Sequence, residues 1–131
     1  MKIKGVLNQD ISQLVASMGH MDKLTICDAG LPIPDYLWRI DLAVTPGLPG
    51  FVEVTKAVAS ELKVQQIILA EELRVKNPKL AQSIKDIFKD ADVVYVPHDK
   101  FKKLSTESRA IIRTGECTPY ANVILVSGVI F

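Results

Sequence analysis

The fold of this chain is indicated by residues 64–96, which read VQQIILAEELRVKNPKLAQSIKDIFKDADVVYV. The apolar runs at residues 64–70 and 92–96 are nearly continuous, as is typical of central strands covered on both faces of a sheet. Between the two runs, Asn77 is a good helix N-cap and Pro78 suits the first helical position. The apolar side chains that then recur at helical spacing are Leu80, Ile84, Ile87 and Phe88. A strand, a helix and a strand in this order predict a largely parallel arrangement.

The alternation of strands and helices continues on both sides of this unit. Helical periodicity recurs at residues 11–18 and 51–62. Further apolar runs predict strands at residues 24–27, 38–44 and 123–131. We therefore predict a single α/β domain over residues 1–131, a sandwich with a largely parallel central sheet and helices on both faces.

Three other segments complete the predicted fold. Residues 38–44, WRIDLAV, alternate apolar and polar side chains and are expected near a sheet edge, with Trp38 in the core. Residues 98–116 are expected to form one or two short helices and a turn. The final apolar run continues to Phe131, so we expect it to pack against the core or a neighbouring subunit. Because hydrophobic residues make up 48% of the chain, an interface between subunits is expected to bury part of them.

The charge pattern argues against nucleic-acid and membrane partners. The 16 basic and 15 acidic residues are spread along the chain and leave a net charge of +1, so no basic patch is expected to attract phosphates or anionic lipid. The opening residues MKIKGVLNQD do not resemble a signal peptide, and no apolar run approaches transmembrane length. Cys27 and Cys117 lack disulfide-scaffold or metal-type spacing, which favours a reduced cytoplasm.

Polar side chains follow two of the predicted strands and are candidates for a binding site. Asp28 comes directly after the run at 24–27, and His98 comes shortly after the run at 92–96. If both strands are parallel, these side chains meet at the edge where ligands bind in α/β sheets. His20 precedes its strand, so either the connection after the first helix or a neighbouring chain must bring it to that edge. Residues 118–122, TPYAN, reach it only if the last strand is antiparallel or belongs to another subunit.

Each of these side chains could instead have an ordinary structural role. His20 could interact with the end of a helix, Asp28 could form a turn, and His98 could begin a helix. Tyr120 and Asn122 are residue types that turns commonly contain. Phosphate-binding and nucleophile motifs of the GxGxxG, GxxxxGK[ST] and GxSxG types are absent. The scattered histidine and aspartate positions do not predict a metal site.

Two stretches resemble the signatures of the ribose pyranase and fucose mutarotase family. They are residues 19–34, GHMDKLTICDAGLPIP, and residues 113–131, RTGECTPYANVILVSGVIF. The match also includes residues 93–102, VVYVPHDKFK, and the opening MKIKGVLN, so it spans essentially the whole chain. The resemblance implies a cofactor-independent isomerase that interconverts cyclic forms of a free sugar, here the β-pyranose and β-furanose forms of D-ribose.

The resemblance also implies residue roles and an assembly. His20 would be the general acid/base, and Asp28 would either orient His20 or bind the sugar. The other implied sugar-binding residues are His98, Tyr120, Ala121 and Asn122. The family implies rings of five subunits that stack into decamers, with sites between neighbouring chains.

The chemistry of the residues is compatible with this function. Opening a sugar ring requires one proton to leave the anomeric hydroxyl and another to reach the ring oxygen. Histidine can exchange protons near neutral pH, and a positioned acid/base supplies a rate factor of about 10²–10⁴. Three alternatives remain open: a ribose-binding module without catalysis, a metal-dependent aldose–ketose isomerase and a purely structural ring-forming protein.

Overall fold

Five helices and six strands make up the computed structural model, which describes residues 1–131. The helices are α1 (Gln9–Ser17), α2 (Phe51–Ala59), α3 (Glu71–Lys76), α4 (Pro78–Ile87) and α5 (His98–Ser105). The strands are β1 (Lys23–Cys27), β2 (Trp38–Asp41), β3 (Val64–Ala70), β4 (Asp92–Val96), β5 (Ala110–Arg113) and β6 (Val123–Ser127). No helix has the length and apolar character that a membrane span requires.

Side-chain caps begin two of the helices, one of them at the residue that the sequence predicts. The Asn8 side chain accepts a hydrogen bond from the backbone N–H of Ile11 at 2.9 Å and starts α1. The Asn77 side chain likewise accepts from the N–H of Leu80 at 3.1 Å, and Pro78 occupies the first position of α4. These bonds satisfy N–H groups that lack a partner within the helix. The predicted start of α4 is therefore confirmed.

The six strands form one sheet in the order β2-β5-β1-β6-β3-β4. Strand β1 is parallel to β5, β5 is parallel to β2, and β3 is parallel to β4. Strand β6 lies between β1 and β3 and is antiparallel to both. Five strands therefore point the same way and one central strand points the opposite way, which confirms the prediction of a largely parallel sheet.

Alternate side chains of the strands pack into two cores, one on each face of the sheet. On one face, Leu24 and Ile26 of β1 join a cluster of 22 buried side chains that includes residues of α1 to α4. On the other face, Cys27 belongs to a cluster of 9 that contains Phe101 of α5. Helices thus cover both faces as predicted, but four of the five lie on the same side.

Three expectations about individual segments are wrong. Residues 92–96 form the edge strand β4 rather than a central strand. Strand β6 pairs with the side of β3 that faces away from β4, so β4 has β3 as its only neighbour. Residues 98–116 contain α5 as expected but also the strand β5, which pairs with β1 on one side and with β2 on the other. Trp38 is 36% exposed instead of lying in the core, because its strand β2 is the other edge of the sheet.

The last residues of the chain do not pack against the core. Strand β6 ends at Ser127, and the side chains of Ile130 and Phe131 are 90% and 100% exposed. The expectation that the apolar tail contacts the core of its own chain is therefore wrong. Burial against a neighbouring subunit is the alternative that remains.

Candidate functional site

The sheet topology brings four of the predicted site residues to one edge. Asp28 follows the last residue of β1, and His98, which begins α5, is the second residue after the end of β4. Because β6 is antiparallel to these strands, Tyr120 and Asn122, which precede it, lie at the same edge. We call the edge that carries Asp28, His98, Tyr120 and Asn122 the carboxyl edge. The antiparallel alternative for the last strand is thus confirmed.

Asp28 and Asn122 form a closed pair at the centre of the carboxyl edge. The Asn122 amide oxygen accepts a hydrogen bond from the backbone N–H of Asp28 at 2.9 Å, and the Asn122 amide nitrogen donates to Asp28 Oδ2 at 3.1 Å. Asp28 Oδ1 accepts from the N–H of Gly30 at 2.9 Å. Asn122 is fully buried, so this pair holds the half-buried carboxylate of Asp28 in one orientation.

His98 and Tyr120 pack together beside this pair. The two rings meet edge to face with their centroids 5.0 Å apart. The backbone N–H of His98 donates to both carboxylate oxygens of Glu72, at 2.9 and 3.1 Å. Its ring atom Nδ1 is buried and has no hydrogen-bond partner. A buried polar atom without a partner costs free energy, so this nitrogen is a candidate contact for a ligand.

Tyr120 has a backbone conformation that turns the chain sharply before β6. Its φ is 63°, in the left-handed region that residues other than glycine rarely adopt. Lys76 Nζ lies 3.5 Å from the Tyr120 hydroxyl and 5.2 Å from the centre of its ring. Ala121 is fully buried, and its N–H donates to the carbonyl of Thr118 at 3.3 Å. Strain at functional sites is common and is maintained by surrounding contacts such as these.

Glu116 supports the loop that leads to Tyr120. Its Oε1 accepts a hydrogen bond from the N–H of Phe51 at 3.1 Å, and its Oε2 accepts from the Thr118 hydroxyl at 2.8 Å. Burial favours the protonated form of Glu116, but these bonds and the N–H groups of Thr118 and Cys117 outweigh it and lower its pKa. The carboxylate therefore joins α2 to the loop at the carboxyl edge.

His20 lies at the opposite edge of the sheet, which we call the His20 edge and define by His20, Gln65 and Ser127. The imidazole is exposed, and its Nε2 lies 3.0 Å from Oε1 of Gln65. The next residue, Met21, donates its N–H to the carbonyl of Ser127 at the end of β6. Strand β1 separates His20 from Asp28 by about 20 Å of extended chain. The connection after α1 therefore does not bring His20 to the carboxyl edge, which leaves contact through a neighbouring chain or an ordinary structural role.

The loop that carries His20 is held by Asp22. Its carboxylate accepts from the N–H of Gly19 at 2.8 Å and from the Arg109 guanidinium at 2.9 Å. The bond from Gly19, followed by that from Arg109, lowers the pKa of Asp22. No three histidine, cysteine, aspartate or glutamate side chains lie close enough together to bind one metal ion.

Sequence reasoning did not identify three of these supporting residues, Gln65, Glu72 and Glu116. Glu72 could have been found by the rule that identified Asp28, because it follows the carboxyl end of β3 by two residues. Gln65 and Glu116 act through contacts between segments that are distant in the sequence, and no local pattern marks such contacts.

The comparisons with known proteins agree on one family. A model of the RbsD / FucU transport protein family matches residues 1–130. A D-ribose pyranase of Lactobacillus acidophilus is 53% identical over the full length of both chains. One of Geobacillus thermodenitrificans is 49% identical over all of this chain and 99% of its own.

Solved structures lead to the same conclusion. The structure of Bacillus subtilis RbsD complexed with D-ribose superposes with a TM-score of 0.96 and 43% identity, covering all of both chains. FucU from Bifidobacterium longum shares the fold at a TM-score of 0.78 and 21% identity, covering 95% of this chain and 97% of its own. The chain belongs to the RbsD / FucU transport protein family.

Proposed function

We propose that this protein is an isomerase that interconverts the β-pyranose and β-furanose forms of D-ribose, without a cofactor, and supports ribose uptake and use. Relatives named D-ribose pyranase are 45–53% identical over the full chain. A relative 43% identical has been solved in complex with D-ribose, and its fold matches with a TM-score of 0.96.

The observation that carries this proposal is the set of polar groups held together at the carboxyl edge. A ribose ring presents hydroxyls on several sides, and recognition requires both donors and acceptors. The Asp28 carboxylate supplies acceptors, the Tyr120 hydroxyl can donate or accept, and the unpartnered Nδ1 of His98 is free to do either. We assign ribose binding to these residues together with Asn122 and the backbone of Ala121.

His20 is proposed as the general acid/base that opens and recloses the ring. One proton must leave the anomeric hydroxyl and one must reach the ring oxygen, and a single imidazole can carry out both transfers in turn. In reclosure, a different hydroxyl attacks the carbonyl carbon and the transfers run in reverse. Asp28 contacts Asn122 and Gly30 of its own chain, so we assign it to the sugar rather than to His20.

A catalytic site of this kind needs two chains. His20 and Asp28 lie at opposite edges of one sheet, so the His20 edge of one subunit must meet the carboxyl edge of another. We propose a decamer of two pentameric rings, built from chains that each form one sugar-mutarotase domain over residues 1–131. The exposed side chains of Ile130 and Phe131 beside His20 are apolar surface that such a contact would bury. The two free cysteines fit a cytoplasmic location.

The first test is magnetisation-exchange NMR on equilibrated D-ribose, with wild type and His20→Ala. Wild type should accelerate exchange between pyranose and furanose signals, and the variant should lose about 10²–10⁴-fold in rate. Because His20 is exposed and distant from the carboxyl edge, the variant should retain saturable ribose binding. Full turnover by His20→Ala would contradict the assignment of the acid/base.

The second test asks whether the site combines two chains. His20→Ala and Asp28→Asn should each be inactive alone. The two variants are co-expressed with different tags and purified as mixed oligomers. About a quarter of the sites between subunits should then combine an intact His20 from one chain with an intact Asp28 from the other. Ribose exchange should reappear at about that fraction of wild type. Mixed oligomers that stay inactive would show that the two residues act in the same chain or not at all.

A ribose-binding module without catalysis is the second candidate. It is favoured by one observation, the exposure of His20 at the edge opposite the binding residues. Under this function, wild type would bind ribose saturably and leave the exchange rate of the free sugar unchanged. The first NMR experiment therefore separates the two functions directly.

A further inference from the structure

Gln65 occupies a β-bulge at the His20 edge. In the pairing of β3 with β6, Val64 lies opposite Ser127 and Gln66 lies opposite Val126, so Gln65 is an extra residue on β3. A bulge interrupts the regular alternation of side chains and redirects the residue that it contains. Such bulges occur next to active sites more often than elsewhere in sheets. The backbone thus gives Gln65 an orientation that a regular strand would not.

The redirected amide of Gln65 contacts the loop that carries His20. Its Oε1 lies 3.0 Å from His20 Nε2, and its Nε2 donates to the sulfur of Met21 at 2.8 Å. The side chain is closely packed on its other side, since a Cβ added to Gly128 would lie 3.1 Å from Gln65 Cβ and 3.4 Å from its Oε1. The bulge, the Met21 contact and the packing against Gly128 together determine where the amide oxygen lies.

We propose that Gln65 is a positioning residue that selects the tautomer of His20 with the proton on Nε2, an inference that rests on the proposed acid/base role of His20. An amide oxygen can only accept a hydrogen bond, so the imidazole must donate to it from Nε2. In the neutral ring the lone pair then belongs to Nδ1. Nδ1 is therefore the atom that takes a proton from the sugar and returns it.

The carboxylates near His20 have their hydrogen-bond partners elsewhere. Asp22 accepts from Gly19 and Arg109. Glu61 accepts from the N–H of Val6 at 2.7 Å and pairs with Lys2. Lys63 lines one surface cavity together with His20 and forms no ion pair, and its ammonium group cannot accept a hydrogen bond from the imidazole. No other side chain forms a hydrogen bond with the imidazole, so Gln65 alone can select its tautomer within the chain.

The direct test is 15N NMR of protein labelled in its histidine rings. The chain has only two histidines, so the His20→Ala variant assigns the spectrum. In wild type, the neutral His20 ring should carry its proton on Nε2. In Gln65→Leu, which keeps a similar side-chain volume, both tautomers should appear and the maximal exchange rate should fall about tenfold, with little change in ribose affinity. An unchanged tautomer ratio in Gln65→Leu would overturn the proposal.

A second readout is the pH dependence of the exchange rate in Gln65→Glu. A carboxylate beside the ring favours the charged imidazolium and should raise the pKa of His20. The part of the rate–pH profile that reflects ionisation of His20 should therefore move to higher pH by about 1 unit. The direction is the same whether His20 acts as acid or as base. The matched control is Gln66→Glu, the same change at the neighbouring glutamine, which forms no hydrogen bond with His20. A profile that does not move in Gln65→Glu would contradict the proposal.

The two proposals can fail separately. If wild type does not accelerate ribose exchange but the tautomer ratio changes in Gln65→Leu, the acid/base function is wrong and the positioning contact is real. If wild type is active and the ratio, the rate and the pH profile are all unaffected by both Gln65 variants, the function stands and Gln65 has no part in it.

Discussion

The two edges of the sheet are built in different ways. At the carboxyl edge, Asp28 and Asn122 are cross-linked by two hydrogen bonds, and Glu72 holds the backbone of His98. At the His20 edge, the imidazole is exposed and its ring has one hydrogen-bond partner, Gln65. The first edge is organised by hydrogen bonds within a single chain, whereas the second presents an exposed imidazole to the outside.

Under the proposed function, this difference separates the two tasks that a mutarotase must perform. Recognition of a polyol depends on several groups held at fixed positions, and the carboxyl edge provides them before any partner arrives. Proton transfer depends on one group that reaches the sugar from outside that set. Variants at the carboxyl edge should therefore change affinity and stability, and variants at the His20 edge should change rate alone.

Among variants at the carboxyl edge, the largest effect is expected from Asn122→Ala. This change removes both hydrogen bonds to Asp28 and leaves the part-buried N–H of Asp28 without its acceptor, so stability should fall by about 1–3 kcal/mol. Release of the Asp28 carboxylate should weaken ribose binding by on the order of 100-fold. Urea denaturation and titration calorimetry measure the two losses.

The control for this variant is Asn8→Ala, which removes the N-cap of α1. It should cost about 1 kcal/mol of stability and leave ribose affinity unchanged, because α1 lies away from the carboxyl edge. Equal losses of affinity in the two variants would mean that affinity only follows global stability.

A smaller effect is expected from Glu72→Ala. The N–H of His98 would lose its carboxylate acceptor, and the ring of His98 would shift relative to Tyr120. Ribose affinity should fall about tenfold, as measured by calorimetry. Glu71→Ala is the matched control, since Glu71 pairs with exposed Arg74 and does not contact the site. Identical affinities in the two variants would show that Glu72 does not position His98.

Glu116→Gln should have a modest effect that depends on pH. The pKa of Glu116 is lowered in the folded protein, so its carboxylate stabilises the fold above the ordinary value of 4.5 and loses this effect as pH falls through the folded pKa. At pH 7 the variant should be about 1 kcal/mol less stable than wild type. The difference should disappear in acid. Thermal melts at pH 7 and below pH 4.5 check this, and a constant difference would contradict the assignment.

The smallest effect concerns the thiol next to Asp28. Burial, followed by the nearby Asp28 carboxylate, raises the pKa of Cys27 to about 12, whereas Cys117 is exposed. Because thiol reagents attack thiolates, the native chain should label at Cys117 and resist labelling at Cys27. Urea should make both thiols reactive. Rapid native labelling of Cys27 would mean that the carboxyl edge opens in solution.

Most residues of the carboxyl edge could be predicted from the sequence, because a single rule on parallel strands identifies them. Residues that follow parallel strands meet at one edge, and this rule placed Asp28 and His98 together before β6 was known to be antiparallel. The contact of Gln65 with His20 was not predictable, because the orientation of Gln65 comes from a β-bulge. A bulge can be recognised only from the register of β3 against β6, which the sequence does not contain. Strand β5 was not predicted, because its four residues, AIIR, are too few for a periodic pattern to identify. The edge position of β4 depends on strand order, which no local pattern contains.

The position of β6 has a consequence for how the chain folds. Strands β2, β5 and β1 form one half of the sheet and β3 and β4 form the other, and β6, which is last in the sequence, joins them. During synthesis the two halves have no strand pairing between them until residues 123–127 leave the ribosome. The sheet therefore closes only through contacts that are distant in sequence, which slows folding. Until that moment, the strand edges of β1 and β3 are open to association with other chains.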